Sequence, residues 1–316
     1  MRCRKPRTVG FQPDGKTIAW TQETYSKEYP TFQLPCGKCL ACRLEYGRQW
    51  AVRAVHESKI HDQNCFITLT YNDESLESDK LIYEHFQSFM QKLRDSLRAD
   101  LDGRAPEIGY LAVGEYGEKR KRPHFHACLF GYRPIDSTYK YTSDRGDRVF
   151  ESKFLTETWG KGIVEFGDVS FQSASYVARY ATKKLVHGKD QDHEYQPIFK
   201  TSRKYAIGKR WLEKFWPDVF NHGHVILKQS DGTSVKCGIP RYYEKWLREH
   251  HIDQYVRYLS EVKYPKMDQA SEKSLNESLT HRNNNGDNPL ALSRNEIEHR
   301  VLKQKINNQL EKFRKL

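Results

Sequence analysis

Two histidines separated by one residue are the sharpest chemical feature of the sequence. His124 and His126 lie in RPHFHACLFG, where apolar residues and spacing predict a β-strand. Alternate side chains of a strand share a face, so both imidazoles point to the same side. Such a pair can hold a divalent ion, with carboxylate or water oxygens completing the shell. Alternating histidines alone are more often a structural coincidence, so support must come from other residues.

Glu115 is the candidate third ligand. It follows the strand predicted for residues 108–113, and the basic, turn-prone segment GEYGEKRKRP predicts a hairpin tip that returns His124 beside it. A set that includes oxygen ligands favours Mg²⁺ or Mn²⁺. The alternative is that Glu115 and Glu118 only solvate the basic turn.

A second group of reactive side chains lies in SASYVARYATKK. Tyr176, Tyr180 and Lys184 are spaced by four residues, so they share one face of the predicted helix, and Lys183 lies beside them. A tyrosine hydroxyl can attack a phosphodiester, but its free pKa of about 10 requires a nearby metal ion or cation. Two tyrosines at this spacing could instead be the buried rings of an amphipathic helix.

The cysteines form a third candidate site. Cys36, Cys39 and Cys42 are evenly spaced in PCGKCLAC, and Cys3 could supply a fourth thiolate for a structural Zn²⁺. Reduced cysteines without metal are the alternative. The N-terminal sequence lacks the apolar core of a secretory signal, so disulfides are not expected.

The elements around these residues indicate the fold class. A helix after residue 38, a strand at 65–72 and a helix at 80–99 precede the histidine hairpin; a helix at 151–159, a strand at 163–166 and a helix at 173–185 follow it. Two strands follow each other without an intervening helix. This order predicts an α+β domain with a central antiparallel sheet flanked by helices. Residues 1–38 read as irregular and 133–149 as a polar surface loop.

The composition favours a polyanionic partner. Lys and Arg number 53 against 41 Asp and Glu, which gives a formal net charge of +12. Neutralising phosphates with such cations releases counterions and favours binding to nucleic acid. No stretch has the apolar length of a membrane span, so we expect a protein of the cytoplasm with no membrane partner.

Taken together, FITLTYN, PHFH and YVARYATKK resemble, in this order, the motifs of the HUH endonucleases. The sequence is more closely similar to the two-tyrosine replication initiators of microviruses, particularly the gokushovirus type. PCGKCLAC, GEYGEKRKRPHFHACLFG, SASYVARYATKK and PRYY carry this resemblance, which covers most of residues 1–260.

The resemblance implies an RRM-like or palm-like sheet and a rolling-circle replication initiator. Such an enzyme nicks the viral origin in single-stranded DNA, forms a 5′-phosphotyrosine link through Tyr176 or Tyr180 and religates the circle. His124, His126 and Glu115 would hold Mg²⁺ or Mn²⁺, and Lys183 or Lys184 would assist electrostatically. A host helicase and replication polymerase in the bacterial cytoplasm are the expected partners.

Other functions remain open on the sequence alone. A plasmid relaxase or transposase of the same superfamily would use the same site, and a non-catalytic single-stranded DNA-binding or packaging protein would explain the charge. The predicted segments are a Cys-containing leader and helix (1–64), the HUH endonuclease core (65–190), an accessory hairpin and helix packed on the core (191–264), a polar linker (265–295) and a C-terminal helix (296–316).

Overall fold

The computed structural model describes residues 3–100, 104, 106–117, 121–144, 146–183, 198–202, 204, 206–228, 232–285 and 292–314. The strands are β1 (Arg7–Phe11), β2 (Ile18–Ala19), β3 (Phe32–Leu34), β4 (Asn64–Thr70), β5 (Gly109–Tyr116), β6 (Pro123–Phe130), β7 (Thr138–Thr142), β8 (Arg148–Glu151), β9 (Val164–Gly167), β10 (Ile198–Thr201), β11 (Val225–Lys228) and β12 (Ser234–Cys237). The α-helices are α1 (Leu40–Ser58), α2 (Tyr83–Asp100), α3 (Lys153–Trp159), α4 (Phe171–Lys183), α5 (Lys209–His222), α6 (Arg241–His250), α7 (Ile252–Tyr258), α8 (Tyr264–Asn285) and α9 (Arg294–Arg314).

The chain forms two compact units. The terminal unit comprises Met1–Glu45 and Asp268–Leu316, and the central unit comprises Tyr46–Met267. Within the terminal unit, β1 pairs with both β2 and β3 in a small antiparallel sheet. None of the helices in the described ranges is long and apolar enough to cross a bilayer.

The central unit is built on a seven-stranded antiparallel sheet in the order β10-β5-β6-β4-β9-β8-β7. Strand β6 lies inside the sheet between β5 and β4, and its side chains are buried on both faces. This explains the nearly continuous apolar run around the two histidines. The predicted α+β class with an antiparallel sheet flanked by helices is confirmed.

Helices cover both faces of this sheet. The histidine face carries Leu111, Val113 and Cys128, and it packs in one hydrophobic core with buried residues of α1, α4, α5 and α6. The opposite face carries Phe125 and Leu129 and packs with residues of α2 and α3. Burial of this apolar area on both sides holds the sheet rigidly under any site at its surface.

Three segments are more ordered than the sequence predicted. Residues 1–38, expected to be irregular, contain the small sheet, and residues 133–149, expected to be a loop, contain β7 and β8. All five side chains of β7 are exposed, so this edge strand lacks the alternation by which strands are recognised. The expected linker at 265–295 contains α8, whose mostly exposed, polar surface leaves no apolar stripe for a sequence to reveal.

Candidate active site

Strand register brings the three candidate ligands together. Strand β5 pairs with β6 so that Glu115 lies opposite His124. Directly opposed residues of antiparallel strands project from the same face. His126, two residues further along β6, also lies on this face. The hairpin predicted between Glu115 and His124 is therefore present, with β5 ending at Tyr116 and β6 beginning at Pro123.

One carboxylate oxygen is the meeting point of the site. Glu115 Oε1 lies 3.1 Å from His124 Nε2 and 3.0 Å from His126 Nε2. The three ligand atoms lie within 4.8 Å of one another, and Glu115 is only 2% exposed. The alternative in which Glu115 solvates the basic turn does not fit this burial.

Tyr176 contacts the same oxygen. Helix α4 lays Ala174, Val177 and Ala178 into the core beneath the histidine face. This packing directs the Tyr176 hydroxyl to Glu115 Oε1, to which it donates a hydrogen bond of 2.6 Å. Its ring also stands edge-on to His126, with the ring centroids 5.0 Å apart.

The other predicted catalytic residues are located less completely. Tyr180 and Lys183 belong to α4 by backbone, but their side chains are outside what the structure describes, and Lys184 lies outside the described residues. Their roles stay predictions. Lys119 of the basic hairpin tip is likewise outside the described residues, whereas Arg122 pairs with the carboxylate of Asp73.

The site holds a negative charge. Burial alone would raise the pKa of Glu115, but hydrogen bonds from His124 and His126 outweigh it and lower that pKa to about 2. Burial lowers the pKa of His126, while its hydrogen bond to Glu115 acts in the opposite direction. An ionised carboxylate with so little exposure requires a compensating positive charge.

The hydrogen bonds of His124 show which ring nitrogen is free for a ligand. His124 Nδ1 lies 3.2 Å from the Arg122 carbonyl oxygen, which can only accept, so Nδ1 carries a proton. In the neutral ring, Nε2 then presents its lone pair toward Glu115 Oε1. Two lone pairs at 3.1 Å need a proton or a metal ion between them. These residues therefore fit a divalent cation bound by two imidazoles and a carboxylate.

Two residues that support the site were not predicted. The Thr68 hydroxyl is 2.9 Å from His126 Nδ1, and the Phe66 ring stacks on the imidazole of His126 with centroids 5.6 Å apart. Both belong to β4, which pairs with β6 so that Thr68 lies opposite His126. The strand itself was predicted, but its register against β6 depends on tertiary structure.

The four predicted zinc ligands also converge, within the terminal unit. The sulfur atoms of Cys3, Cys36, Cys39 and Cys42 lie within 4.8 Å of one another. Burial acts to raise the pKa of Cys39, but hydrogen bonds, chiefly from backbone amides, lower it to about 6. Cys65, Cys128 and Cys237 are buried in the central unit, as predicted.

Comparison with known proteins agrees with this arrangement. The family model for replication-associated proteins of the ORF2 type matches residues 64–185, the part of the chain that carries Glu115, both histidines and Tyr176. The chain is 41% identical to "Replication-associated protein VP4" of Bdellovibrio phage phiMH2K, over 99% of this chain and all of the relative. It is 34% identical to "Replication-associated protein ORF2" of Spiroplasma virus 4, over 72% of each chain.

A third relative, "Replication-associated protein ORF4" of Chlamydia phage 1, is 30% identical over 69% of this chain and 54% of the relative. No solved structure matches the chain. An α+β protein with a buried histidine and carboxylate cluster is thus a phage protein of DNA replication. The chain belongs to the family of phage replication-associated proteins, and its resemblance to microvirus replication initiators of the gokushovirus type is confirmed.

Proposed function

We propose that the protein initiates rolling-circle replication as a site-specific endonuclease and strand transferase with a tyrosine nucleophile. The observation that carries this proposal is the contact of the Tyr176 hydroxyl with Glu115 Oε1, the oxygen that both histidines also contact. A nucleophile and a set of metal ligands therefore share one atom. The replication-associated relatives supply the biological setting.

His124, His126 and Glu115 would hold Mg²⁺ or Mn²⁺. When bound, such an ion polarises the scissile phosphate and stabilises charge on the leaving oxygen. The protonated Nδ1 of His124 and the Thr68 contact to His126 orient both rings for this role.

The chemistry of the nick can be assigned to atoms of the chain. The Tyr176 phenolic oxygen attacks the scissile phosphorus, a P–O bond to tyrosine forms and the bond to the DNA 3′ oxygen breaks. The 3′ oxygen leaves with the bonding electrons and gains a proton, which yields a 3′ hydroxyl primer. Glu115, with a pKa of about 2, is too weak a base to keep the phenolic proton, which passes to solvent.

Religation reverses the reaction. A free 3′ hydroxyl attacks the phosphotyrosine, and the tyrosine leaves with its oxygen, so the phosphodiester bond is recovered without ATP. Tyr180, one helical turn from Tyr176 on α4, would serve as the alternate nucleophile, and Lys183 or Lys184 would stabilise charge on the phosphate. The catalytic core would comprise residues 65–190.

The substrate is the single-stranded viral origin, which the net charge of +12 would attract. The reaction would take place in the host bacterial cytoplasm. There, the released 3′ hydroxyl would prime the replication polymerase, and a host helicase would separate the strands.

The proposal is tested by covalent capture. Purified protein incubated with Mn²⁺ and a single-stranded origin oligonucleotide should give a denaturant-resistant adduct. His124→Ala should abolish it, whereas His222→Ala, which removes an exposed histidine at the end of α5, should not. A wild-type protein that binds the oligonucleotide without forming an adduct would support the non-catalytic binding function instead.

The nucleophile is tested by removing hydroxyl groups. Tyr176→Phe and Tyr180→Phe each remove one oxygen, so one single variant should still nick while strand transfer is impaired in both. The double variant should be inert. Mass spectrometry of the DNA-linked peptide identifies the attacking side chain, and an adduct formed by the double variant would assign the chemistry to another residue.

A further inference from the structure

The pairing of the first and third strands explains how Cys3 reaches the other cysteines. Strands β1 and β3 are antiparallel, with Arg7 opposite Leu34. Continuing this register outward brings position 3 opposite position 38, between Cys36 and Cys39. The backbone amide of Cys36 donates to Cys3 Sγ at 3.2 Å, which secures the N-terminal segment at this place.

The turn that follows β3 resembles a metal-binding knuckle. Gly37 has φ of +72°, a conformation that favours glycine, and it lets the chain reverse between Cys36 and Cys39. The amide of Cys39 then donates to Cys36 Sγ at 3.3 Å. Cys42 follows in the first turn of α1, three residues after Cys39. Amide donors of this kind stabilise thiolates and orient them.

The distances fit one metal ion. A tetrahedral zinc site with Zn–S bonds of about 2.3 Å separates its sulfur atoms by about 3.8 Å. Cys3 Sγ and Cys39 Sγ are 3.9 Å apart, and all four sulfur atoms lie within 4.8 Å. A disulfide would require two of them at about 2.05 Å. The four are free thiols, and a mononuclear thiolate site accommodates them with small adjustments.

The terminal unit has little else to hold it together. Among its described residues, the buried apolar side chains are Val9, Ala19 and Ala41. A sheet of this size cannot offset its loss of chain entropy with so small a core, and small units of this kind commonly depend on a bound metal. The position of the cysteines at the open end of the β1–β3 pair is where a cross-link would stabilise that pair most directly.

We propose that Cys3, Cys36, Cys39 and Cys42 bind one structural Zn²⁺ that stabilises the fold of the terminal unit. This ion is separate from the Mg²⁺ or Mn²⁺ proposed for the nick, because the two ligand sets share no residue. Soft thiolates select zinc, whereas the harder carboxylate and imidazole set suits the other ions.

The first test is metal content. Full-length protein purified without chelators should contain about one zinc ion per chain by mass spectrometry of the elements. The double variant Cys36→Ser/Cys39→Ser should lose it. Cys237→Ala, which removes a buried cysteine of the central unit, should retain it, and so should His124→Ala/His126→Ala. Cys42→His should also retain zinc, because three thiolates and one imidazole form a natural structural site.

The second test is local stability. After zinc is removed by a strong chelator, hydrogen exchange should accelerate on the order of tenfold or more in β1 and β3, but not in β4 of the central sheet. Cobalt added to the zinc-free protein should give the visible absorption bands of a tetrahedral thiolate complex, even if the serine variants fail to fold.

Purified protein that contains iron instead of zinc, or that joins these cysteines in disulfides, would overturn the proposal. So would protein that lacks metal, rejects cobalt and has unchanged exchange in β1 and β3 after chelator treatment. None of these measurements depends on nicking activity, so the zinc site and the endonuclease can fail independently.

Discussion

A buried histidine under the histidine face should make the stability of the central unit dependent on pH. His56 on α1 is 1% exposed and stacks on the Trp211 ring, with centroids 3.5 Å apart. Its Nδ1 is 2.9 Å from the Tyr243 hydroxyl, and its Nε2 is buried without a hydrogen-bond partner in the described ranges. Burial, with a smaller contribution from Lys59, lowers the pKa of His56 to about 3.

The sign and size of the effect follow from this pKa. The unfolded chain, with an ordinary histidine pKa of about 6.5, binds more protons than the folded chain between about pH 3 and pH 6.5. The stability linked to His56 is therefore fully present above that interval and falls by about 1.4 kcal/mol per pH unit within it. At about pH 5, the loss is about 2 kcal/mol.

The assay is urea unfolding of the wild type and of His56→Gln at pH 7.5 and pH 5.0, followed by circular dichroism. Glutamine does not titrate, so the wild type should lose about 2 kcal/mol more than the variant between these pH values. Any cost of the substitution itself is present at both pH values and cancels. Equal losses for the two proteins would show that His56 is not held neutral by burial, and the reasoning would be wrong.

Two further changes probe the sheet and the site. Gly162→Ala should destabilise the protein by about 2–4 kcal/mol in urea unfolding, because φ is +149° and a Cβ there would overlap the Thr70 carbonyl; a loss below about 1 kcal/mol would count against this packing. Thr68→Val removes the hydroxyl next to His126 Nδ1 and should weaken Mn²⁺ binding by about 10-fold to 100-fold in calorimetric titration, with adduct formation restored at saturating Mn²⁺; unchanged affinity would exclude this orienting role.

Several features of the fold could be predicted because they depend on local patterns. The alternation around His124 and His126 identified the strand and its face, and the Asp231-Gly232 turn signal identified the hairpin that is observed as β11 and β12. Helix α5 was not predicted. Pro217 interrupts its backbone hydrogen bonding, and its burial against α6 is a tertiary contact that no local pattern encodes.

The sequence by itself determined the chemistry that is available: two imidazoles on one strand face, tyrosines at helical spacing and thiols at metal-binding intervals. These follow from the repeats of helices and strands, which depend on neighbours a few residues apart. Tertiary structure alone decided which of these groups meet. The β5–β6 register sets Glu115 against His124, the packing of α4 brings Tyr176 to the same oxygen, and the β1–β3 pairing returns Cys3 to Cys36. The physical reason is that strand register and helix packing are set by burial of apolar surface between segments distant in sequence.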